Sequence, residues 1–350
     1  MLYFIYLQFI PLEKGELKAV RNGTILVTWF KLPFYIDSRH KARSQNFDGC
    51  EFDNCILSFD RSTIEKADAV LFKGRSLPKK LPFTRPQGQV WIFAEDEAPI
   101  TYDYDGGQWK SSQYRGSFNW TMSYDKTNAD IFLPYGELRK RERSIDRDFN
   151  SIVKSKSKHA LIITSHCCTQ SERMDYIKVL QKYISVDILG ACGTRWNCGK
   201  LWVHDDCFKI MNTTYRYYLA FENAFCKWYK TEKIFDNFKY DILFVTRGDD
   251  ASFLEENGNL TKAFISTTQF PNISALGKYL QSLSSSDERY AQLLRKKNEY
   301  FSVPYEQIYK RALCDICERM HFVELYSKTI PDIREWSGLK GACFDPTDLK

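Results

Sequence analysis

The residues best suited to chemistry lie where a predicted strand gives way to a predicted helix. An apolar run ends at Glu222-Asn223, and Tyr229, Glu232 and Lys233 follow where a helix is expected to begin. Open α/β sheets hold nucleotides at such places, because free backbone N–H groups point at the phosphates. The stretch offers a cation for phosphate, a carboxylate for ribose hydroxyls and an aromatic ring. It therefore predicts a nucleotide site without the usual glycines.

Other familiar motifs are missing from the sequence. It has no Gly-x-Gly-x-x-Gly, no phosphate loop ending in Gly-Lys-Ser/Thr and no His-Glu-x-x-His. Dinucleotide redox chemistry, ATP hydrolysis and zinc proteolysis therefore have no motif support. The pair His166-Cys167 could suggest a cysteine nucleophile, but adjacent residues on a strand point to opposite faces. We expect this pair to serve packing.

The elements that must position these residues follow from the hydrophobic pattern. In the first half, short apolar runs predict strands at residues 25–29, 69–72 and 90–93. From residue 159 onward, predicted strands alternate with amphipathic helices; these strands are at 160–164, 186–189, 217–221 and 241–245. Alternation with short connections implies parallel sheets covered on both faces by helices.

The composition is that of a globular chain with room for two domains. The 350 residues are 43% hydrophobic and 15% aromatic, and 50 Lys and Arg against 44 Asp and Glu give a net charge of +6. This mild excess suits an anionic small molecule. The densest basic run, residues 139–158, is mixed with acids, so we expect a solvated interdomain linker there and no nucleic-acid contact.

Eleven cysteines and five Asn-x-Ser/Thr sequons indicate a secretory lumen, where disulfides persist. The candidate glycosylation sites are Asn22, Asn119, Asn212, Asn259 and Asn272. The candidate disulfide cysteines are Cys50, Cys55, Cys192, Cys198, Cys207, Cys226, Cys314 and Cys317. Zinc held by Cys314 and Cys317, with Cys50 and Cys55 as the second ligand pair, is the alternative that an oxidising compartment disfavours.

The chain opens on an apolar stretch, residues 1–12, that is too short to span a bilayer and lacks a basic flank. Either the true N-terminus is missing from this chain or the stretch is the remnant of an anchor.

The stretch from Tyr218 to Lys233 resembles the donor-binding motif of the alpha-1,3/1,4-fucosyltransferases. That motif reads Phe-Glu-Asn-Ser, followed by Asp-Tyr-(Val/Ile)-Thr-Glu-Lys. The resemblance covers about residues 20–345. It extends over further segments with family-like sequence: CEFDNC at 50–55, ADAVLF at 67–72, RPQGQ at 85–89, EAP at 97–99, FNWTMSY at 118–124 and PYG at 134–136.

The resemblance implies a GT-B architecture of two Rossmann-like domains whose parallel sheets face a cleft. It implies inverting transfer of fucose from GDP-fucose to the 3-hydroxyl of a GlcNAc residue, with no cofactor required and a divalent metal at most stimulatory. Direct displacement needs a general base and cations for the leaving diphosphate. The roles that it implies are general base for Glu97, phosphate contacts for Arg173 and Lys233, ribose contact for Glu232, phosphate or sugar contact for Tyr229, and fucose contacts for Glu222 and Asn223.

The resemblance also implies the organisation and location of the chain. Cys50 and Cys55 should bridge to Cys314 and Cys317. The acceptor should be an N-glycan or another GlcNAc-containing glycan, and the location the Golgi lumen, with a type II membrane anchor. The expected segments are an anchor or stem remnant at 1–19, an acceptor-side domain at 20–145, a GDP-fucose-binding domain at 146–305 and a disulfide-linked C-terminal helix and tail at 306–350.

The sequence departs from the family pattern at Ala224, Trp228, Phe244, His166 and Lys297. A catalytically silent relative that binds nucleotide sugar or glycan is therefore one alternative.

The second alternative is a metal-dependent glycosyltransferase that uses Asp103 and Asp105. Two aspartates alone are an incomplete metal site, and Asp105 precedes Gly106-Gly107, so we expect a turn there.

Overall fold

The structure is a computed structural model that describes residues 23–33, 36, 46–103, 108–195, 208–250, 263–336 and 341–349, with the backbone alone at 102 and 103. Within these ranges the strands are β1 (Ile25–Trp29), β2 (Cys55–Ser58), β3 (Ala69–Lys73), β4 (Val90–Ala94), β5 (Trp120–Ser123), β6 (Ile131–Phe132), β7 (Glu137–Lys140), β8 (Lys158–Ile163), β9 (Val186–Leu189), β10 (Tyr215–Phe221), β11 (Leu243–Arg247), β12 (Phe264–Ser266) and β13 (Tyr300–Val303).

The α-helices in the same ranges are α1 (Pro99–Asp103), α2 (Phe149–Lys154), α3 (Arg173–Leu180), α4 (Ile210–Thr213), α5 (Glu232–Phe235), α6 (Ile273–Ser284), α7 (Asp287–Lys297), α8 (Tyr305–His321) and α9 (Ile333–Trp336). Short 3-10 turns lie at Arg61–Lys66, Gly74–Ser76, Gln108–Lys110, Ser112–Tyr114 and Thr267–Gln269. None of the described helices is long and apolar enough to cross a membrane.

Six parallel strands form the first sheet, in the order β2-β1-β3-β4-β5-β6. Strands β3 and β4 are buried along their whole length, as continuous apolar runs predict for a sheet covered on both faces. One face packs on α8 through residues such as Tyr309 and Leu313. On the other face Phe72 of β3 and Trp91 of β4 belong to an aromatic cluster with Trp109 and Phe118, which lie outside the strands.

The second sheet has five parallel strands in the order β12-β11-β10-β8-β9. Numbered within the sheet, the order is 5-4-3-1-2, a doubly wound arrangement that reverses between β8 and β10. Helices α3, α6 and α7 cover one face, and α5 with the residues after it covers the other. The predicted pair of Rossmann-like sheets is confirmed.

Two connections tie the sheets together. Strands β7 and β13 pair as a small antiparallel ladder, and α8 follows β13 and returns to the first sheet. Cys314 and Cys317 of α8 form disulfides with Cys50 and Cys55 respectively. This is the pairing that the family resemblance implies, and it fixes the C-terminal helix to the first sheet.

The basic run at residues 139–158 differs from the predicted solvated linker. Its first two residues belong to β7, and α2 buries Phe149 and Val153. Lys156 is also buried, and its Nζ donates to three backbone carbonyls. The exposed connection is confined to about residues 141–148, because the apolar side chains of α2 pack into the core of the second sheet.

Candidate active site

A cavity of about 870 Å³ lies between the two sheets. Strands β8 and β10, between which the strand order reverses, both end beside it. Open α/β sheets bind ligands at such a reversal, outside the carboxyl ends of the strands. The cavity is lined by six of the predicted site residues, which are Glu97, Arg173, Asn223, Tyr229, Glu232 and Lys233.

Arg173 is the first residue of α3 and is almost fully buried. Its Nη1 donates to the carbonyl of Phe221 at 3.0 Å, and its Nη2 donates to Thr164 Oγ1 at 2.6 Å and to the carbonyl of His166 at 3.0 Å. Among the described residues its Nε has no hydrogen-bond partner. Burial lowers the pKa of the guanidinium, yet arginine stays charged in proteins. A buried cation with an unused N–H is suited to an anionic ligand.

Lys233 is held by a carboxylate beneath the cavity. Its Nζ lies 2.8 Å from Glu222 Oε2 and 2.9 Å from Thr231 Oγ1, and Glu222 Oε1 accepts the backbone N–H of Thr231 at 2.9 Å. Burial alone would lower the pKa of Lys233, but Glu222 and then Glu232 raise it above its usual value. Asn223 lines the cavity, and its Oδ1 is buried without a partner among the described residues.

Glu222 therefore occupies a different place from the one expected for a fucose contact. Its side chain is fully buried and both of its oxygens already accept hydrogen bonds. Since the strand end turns Asn223 toward the cavity, Glu222 points into the protein, where its charge balances Lys233. The structure makes Glu222 a support for the cation.

Tyr229 joins the two sheets across the cavity. Its hydroxyl donates to Glu97 Oε2 at 2.8 Å, and its ring packs on Tyr124 and Tyr135, with centroids 5.1 and 6.2 Å away. Burial, and next the charge of Glu97, raise the pKa of Tyr229 well above its usual range, so it remains a donor. The guanidinium of Arg75 lies 3.6 Å from the same oxygen of Glu97.

A buried charge cluster supports the loop that carries Glu97. Lys73, the last residue of β3, donates to Glu95 Oε1 at 2.6 Å and to Asp96, and Glu95 Oε1 accepts the backbone N–H of Glu97 at 3.2 Å. Burial raises the pKa of Glu95, against the lowering effect of Lys73. No sequence pattern predicted this cluster. A charged residue at the end of the otherwise apolar run of β3 is the signal that could have found it.

The pair His166-Cys167 does not serve packing, so that expectation is wrong. Both residues are exposed in the loop after β8, where strand alternation no longer applies, and His166 lines the cavity. Cys167 forms a disulfide with Cys192, which also excludes it as a nucleophile in this state. Cys226 is bonded to Cys343. Neither Cys167 nor Cys343 was among the predicted disulfide residues.

Four predicted positions lie outside the described residues: Cys198, Cys207, Asn22 and Asn259. Asp105 and the glycines after it also lie outside. Asp103 is the last residue of α1, and the structure describes its backbone alone.

The remaining sequons differ in how their side-chain amides are used. Asn119 is tied down, because its Nδ2 donates to the carbonyl of Lys328 and its Oδ1 accepts the backbone N–H of Trp91. Asn212 is half-buried. Asn272 is exposed and caps α6 through its Oδ1, which leaves its Nδ2 toward solvent. Glycosylation remains a prediction, and this geometry favours Asn272 over Asn119.

Two doubly wound parallel sheets, a cavity at their carboxyl ends and charged residues from both sides define a glycosyltransferase of the GT-B type. The chain belongs to glycosyltransferase family 10 (fucosyltransferase): the C-terminal family model matches residues 153–336 and the fucosyltransferase N-terminal model matches residues 21–136.

Named relatives agree with this membership, and a solved structure shares the fold. The chain is 28% identical to glycoprotein 3-alpha-L-fucosyltransferase A of Drosophila melanogaster over 84% of its own length and 56% of the relative. It is 29% identical to alpha-(1,3)-fucosyltransferase C of the same organism over 82% of its own length and 70% of the relative. A crystal structure of an alpha1,3-fucosyltransferase with GDP shares the fold at a TM-score of 0.51 and 13% identity, over 87% of this chain and 92% of that one. The chain thus spans little more than half of the first relative.

Proposed function

We propose that the protein transfers fucose from GDP-fucose to the 3-hydroxyl of a GlcNAc residue on a glycoprotein glycan. The observation that carries the proposal is the contact between Glu97 and Tyr229, which brings a carboxylate of the first sheet to the cation-bearing wall of the second. Membership of the family supports fucose as the sugar, and the names of the relatives support the 3-linkage.

In the proposed reaction the acceptor hydroxyl attacks the anomeric carbon of fucose directly. Glu97 takes the hydroxyl proton, the new C–O bond forms, and the bond from the anomeric carbon to the diphosphate breaks. Arg173 and Lys233 hold the charge that develops on the departing GDP. A single displacement inverts the anomeric configuration. Tyr229 holds one oxygen of Glu97, so the other oxygen is the one that faces the acceptor.

No metal is required in this scheme, because two cationic side chains meet the leaving group. Glu232 holds the ribose hydroxyls and Asn223 the fucose. The acceptor, the Golgi lumen and the membrane anchor belong to the proposal and rest on the family.

The substituted motif positions leave the charged contacts intact, which favours an active enzyme over a silent relative. Ala224 is packed in the small core beside Tyr229. Phe244 lies inside β11 against Tyr218. Trp228 adopts a left-handed conformation, φ 63°, and its backbone N–H is held by Asp249 at 3.1 Å. None of these three substitutions removes a charged side chain of the proposed site, since Arg173, Lys233 and Glu97 are all present.

The test is to incubate the expressed chain with GDP-fucose and a panel of GlcNAc-containing glycans, with and without EDTA. We expect a fucosylated product in EDTA, with an α1,3 linkage by NMR. Failure to transfer fucose while GDP still binds would support the silent relative. Loss of transfer in EDTA with recovery in Mn²⁺ would support the metal-dependent alternative.

A further inference from the structure

Residues 341–349, here called the 341–349 segment, lie against the loop after β10 that carries two residues of the proposed donor site. Cys226 of this loop is bonded to Cys343, and the two cysteines also form an antiparallel backbone bridge. The backbone N–H of Phe344 donates to the carbonyl of Phe225 at 2.8 Å. The segment is therefore attached to the loop both through its backbone and through a covalent bond.

A second attachment runs through Arg247, the last residue of β11, which is fully buried. Its Nε and Nη2 donate to the two carboxylate oxygens of Asp348 at 2.8 and 2.6 Å. The guanidinium carbon lies 4.4 and 4.6 Å from the ring centroids of Tyr176 and Phe225, and Nη1 donates to the carbonyl of Ser171. A cation removed from water needs a paired anion, and Asp348 of the 341–349 segment supplies it in a bidentate geometry.

Ser171 connects Arg247 to the groups that face the cavity. It is fully buried and lies two residues before Arg173. Its hydroxyl donates to the carbonyl of Glu222 at 2.6 Å, and its backbone N–H donates to the carbonyl of Asn223 at 3.2 Å. Because Arg247 holds the carbonyl of the same serine, it fixes the start of α3 and the end of β10 relative to each other.

We propose that the 341–349 segment supports the donor site, and that Arg247, balanced by Asp348, is the positioning residue that sets Arg173 relative to Asn223. This inference rests on the proposed function. The segment lies beyond residue 336, where the match to the C-terminal family model ends. Without the charge of Asp348 the buried guanidinium is uncompensated, and the spacing of the two donor-site residues is no longer fixed before the ligand binds.

This role predicts a change in donor affinity and not in the rate of the saturated enzyme, because a bound donor draws Arg173 and Asn223 back into place. The experiment compares the wild type with Asp348→Asn, which keeps the size of the side chain and removes its charge. We expect calorimetry to show GDP binding weakened by about 3–30-fold. The KM for GDP-fucose should rise by a similar factor, with kcat within about two-fold of the wild type.

Two further variants serve as rescue and control. Asp348→Glu keeps the charge and should recover most of the GDP affinity. Asp175→Asn removes an exposed carboxylate that pairs with Lys178 on α3, and it should bind GDP like the wild type. Near-UV circular dichroism at the assay temperature shows whether each variant is folded.

A double variant tests whether the two charges act through each other. Arg247→Met combined with Asp348→Asn should lose no more GDP affinity than Arg247→Met alone, because both changes break the same contact. If Arg247→Met does not fold, the comparison of Asp348→Asn with Asp348→Glu decides.

The outcomes separate this inference from the proposed function. A folded Asp348→Asn protein with wild-type GDP affinity and KM would overturn the inference. A lower kcat with unchanged donor affinity would contradict it as well. If the wild type binds GDP but transfers no fucose, the proposed function fails and the calorimetric comparison still decides the role of the 341–349 segment. A wild type that binds no GDP would overturn the donor site itself, and the inference with it.

Discussion

At the scale of single residues, the proposed donor side of the cavity depends on the pair formed by Lys233 and Glu222. The Nζ of Lys233 lies 2.8 Å from Glu222, whose side chain is fully buried, while Lys233 itself is partly exposed toward the cavity. Against the lowering effect of burial, the charge of Glu222 raises the pKa of Lys233, so Lys233 keeps its charge. A buried pair of this kind contributes little by itself, but removal of one partner leaves the other charge uncompensated. Glu222 and Lys233 therefore act as a unit, although of the two it is Lys233 that lines the cavity.

The first prediction concerns Lys233. If it binds the diphosphate, Lys233→Ala should weaken GDP binding by about 2–5 kcal/mol, the range observed when one partner of a buried hydrogen-bonded charge pair is lost. Calorimetry with GDP measures the change. Lys178→Ala, at an exposed lysine of α3, is the control and should bind like the wild type. Unchanged affinity in Lys233→Ala would remove Lys233 from the donor site.

At the scale of elements, α8 is joined to the first sheet by two disulfides that close almost the same loop. Cys50–Cys314 and Cys55–Cys317 span 264 and 262 residues. Cys314 and Cys317 are three apart on the helix and so share a face. When one bridge is removed, the other still closes the long loop, and the denatured chain gains little freedom.

The second prediction follows from this redundancy. Removal of one bridge by a pair of Cys→Ala changes should lower the free energy of unfolding. The decrease should be clearly less than half of the decrease caused by removal of both bridges. Opening a loop this long is worth about 5–6 kcal/mol in the chain-entropy model. Urea unfolding of the two single-bridge variants and the double variant measures this. Additive losses, or peptide mapping that finds all four thiols free, would contradict the account.

At the scale of the whole molecule, two buried lysines give the stability a pH dependence. Burial lowers the pKa of Lys156 and of Lys297 to about 7 in each case, in opposition to Asp241, which raises both. In the unfolded chain a lysine has a pKa of about 10.4. Between pH 7 and 10 the unfolded state therefore binds more protons than the folded state, and the free energy of unfolding should rise with pH.

The third prediction is that the protein is more stable at pH 9 than at pH 7. Each lysine contributes at most about 1.4 kcal/mol per pH unit in this window. Lys297→Met should reduce the slope. Urea unfolding at pH 7, 8 and 9 measures this slope. These pH values lie below the pH at which the buried tyrosines would make the free energy of unfolding fall with pH. A stability that is flat or falls over this range would contradict the assignment of both lysines.

How far the sequence predicts the molecule can be judged from particular residues. The sheets were predictable because apolar runs such as β3 and β4 are bounded by polar residues, and the motif predicted the loops that meet at the cavity. Its spacing could not show that Glu222 turns inward while Asn223 turns outward. Nor could the sequence show that Cys167 forms a disulfide with Cys192, because the pairing depends on how two loops meet in space. The Lys73–Glu95 contact joins the last residue of β3 to the residue that follows β4, 22 positions further along the chain. A charged residue at the end of β3 indicates that a partner exists, but no local pattern identifies Glu95 as that partner.

The most direct test of the account is the transfer rate of Glu97→Gln, measured together with its affinity for GDP. Glutamine keeps the size of the side chain and can still accept the hydrogen bond from Tyr229, but it cannot take the acceptor's proton. We expect the transfer rate to fall by about 10²–10⁴-fold while GDP binds within about two-fold of the wild type. Transfer at the wild-type rate would contradict the role of Glu97 and with it the proposed reaction.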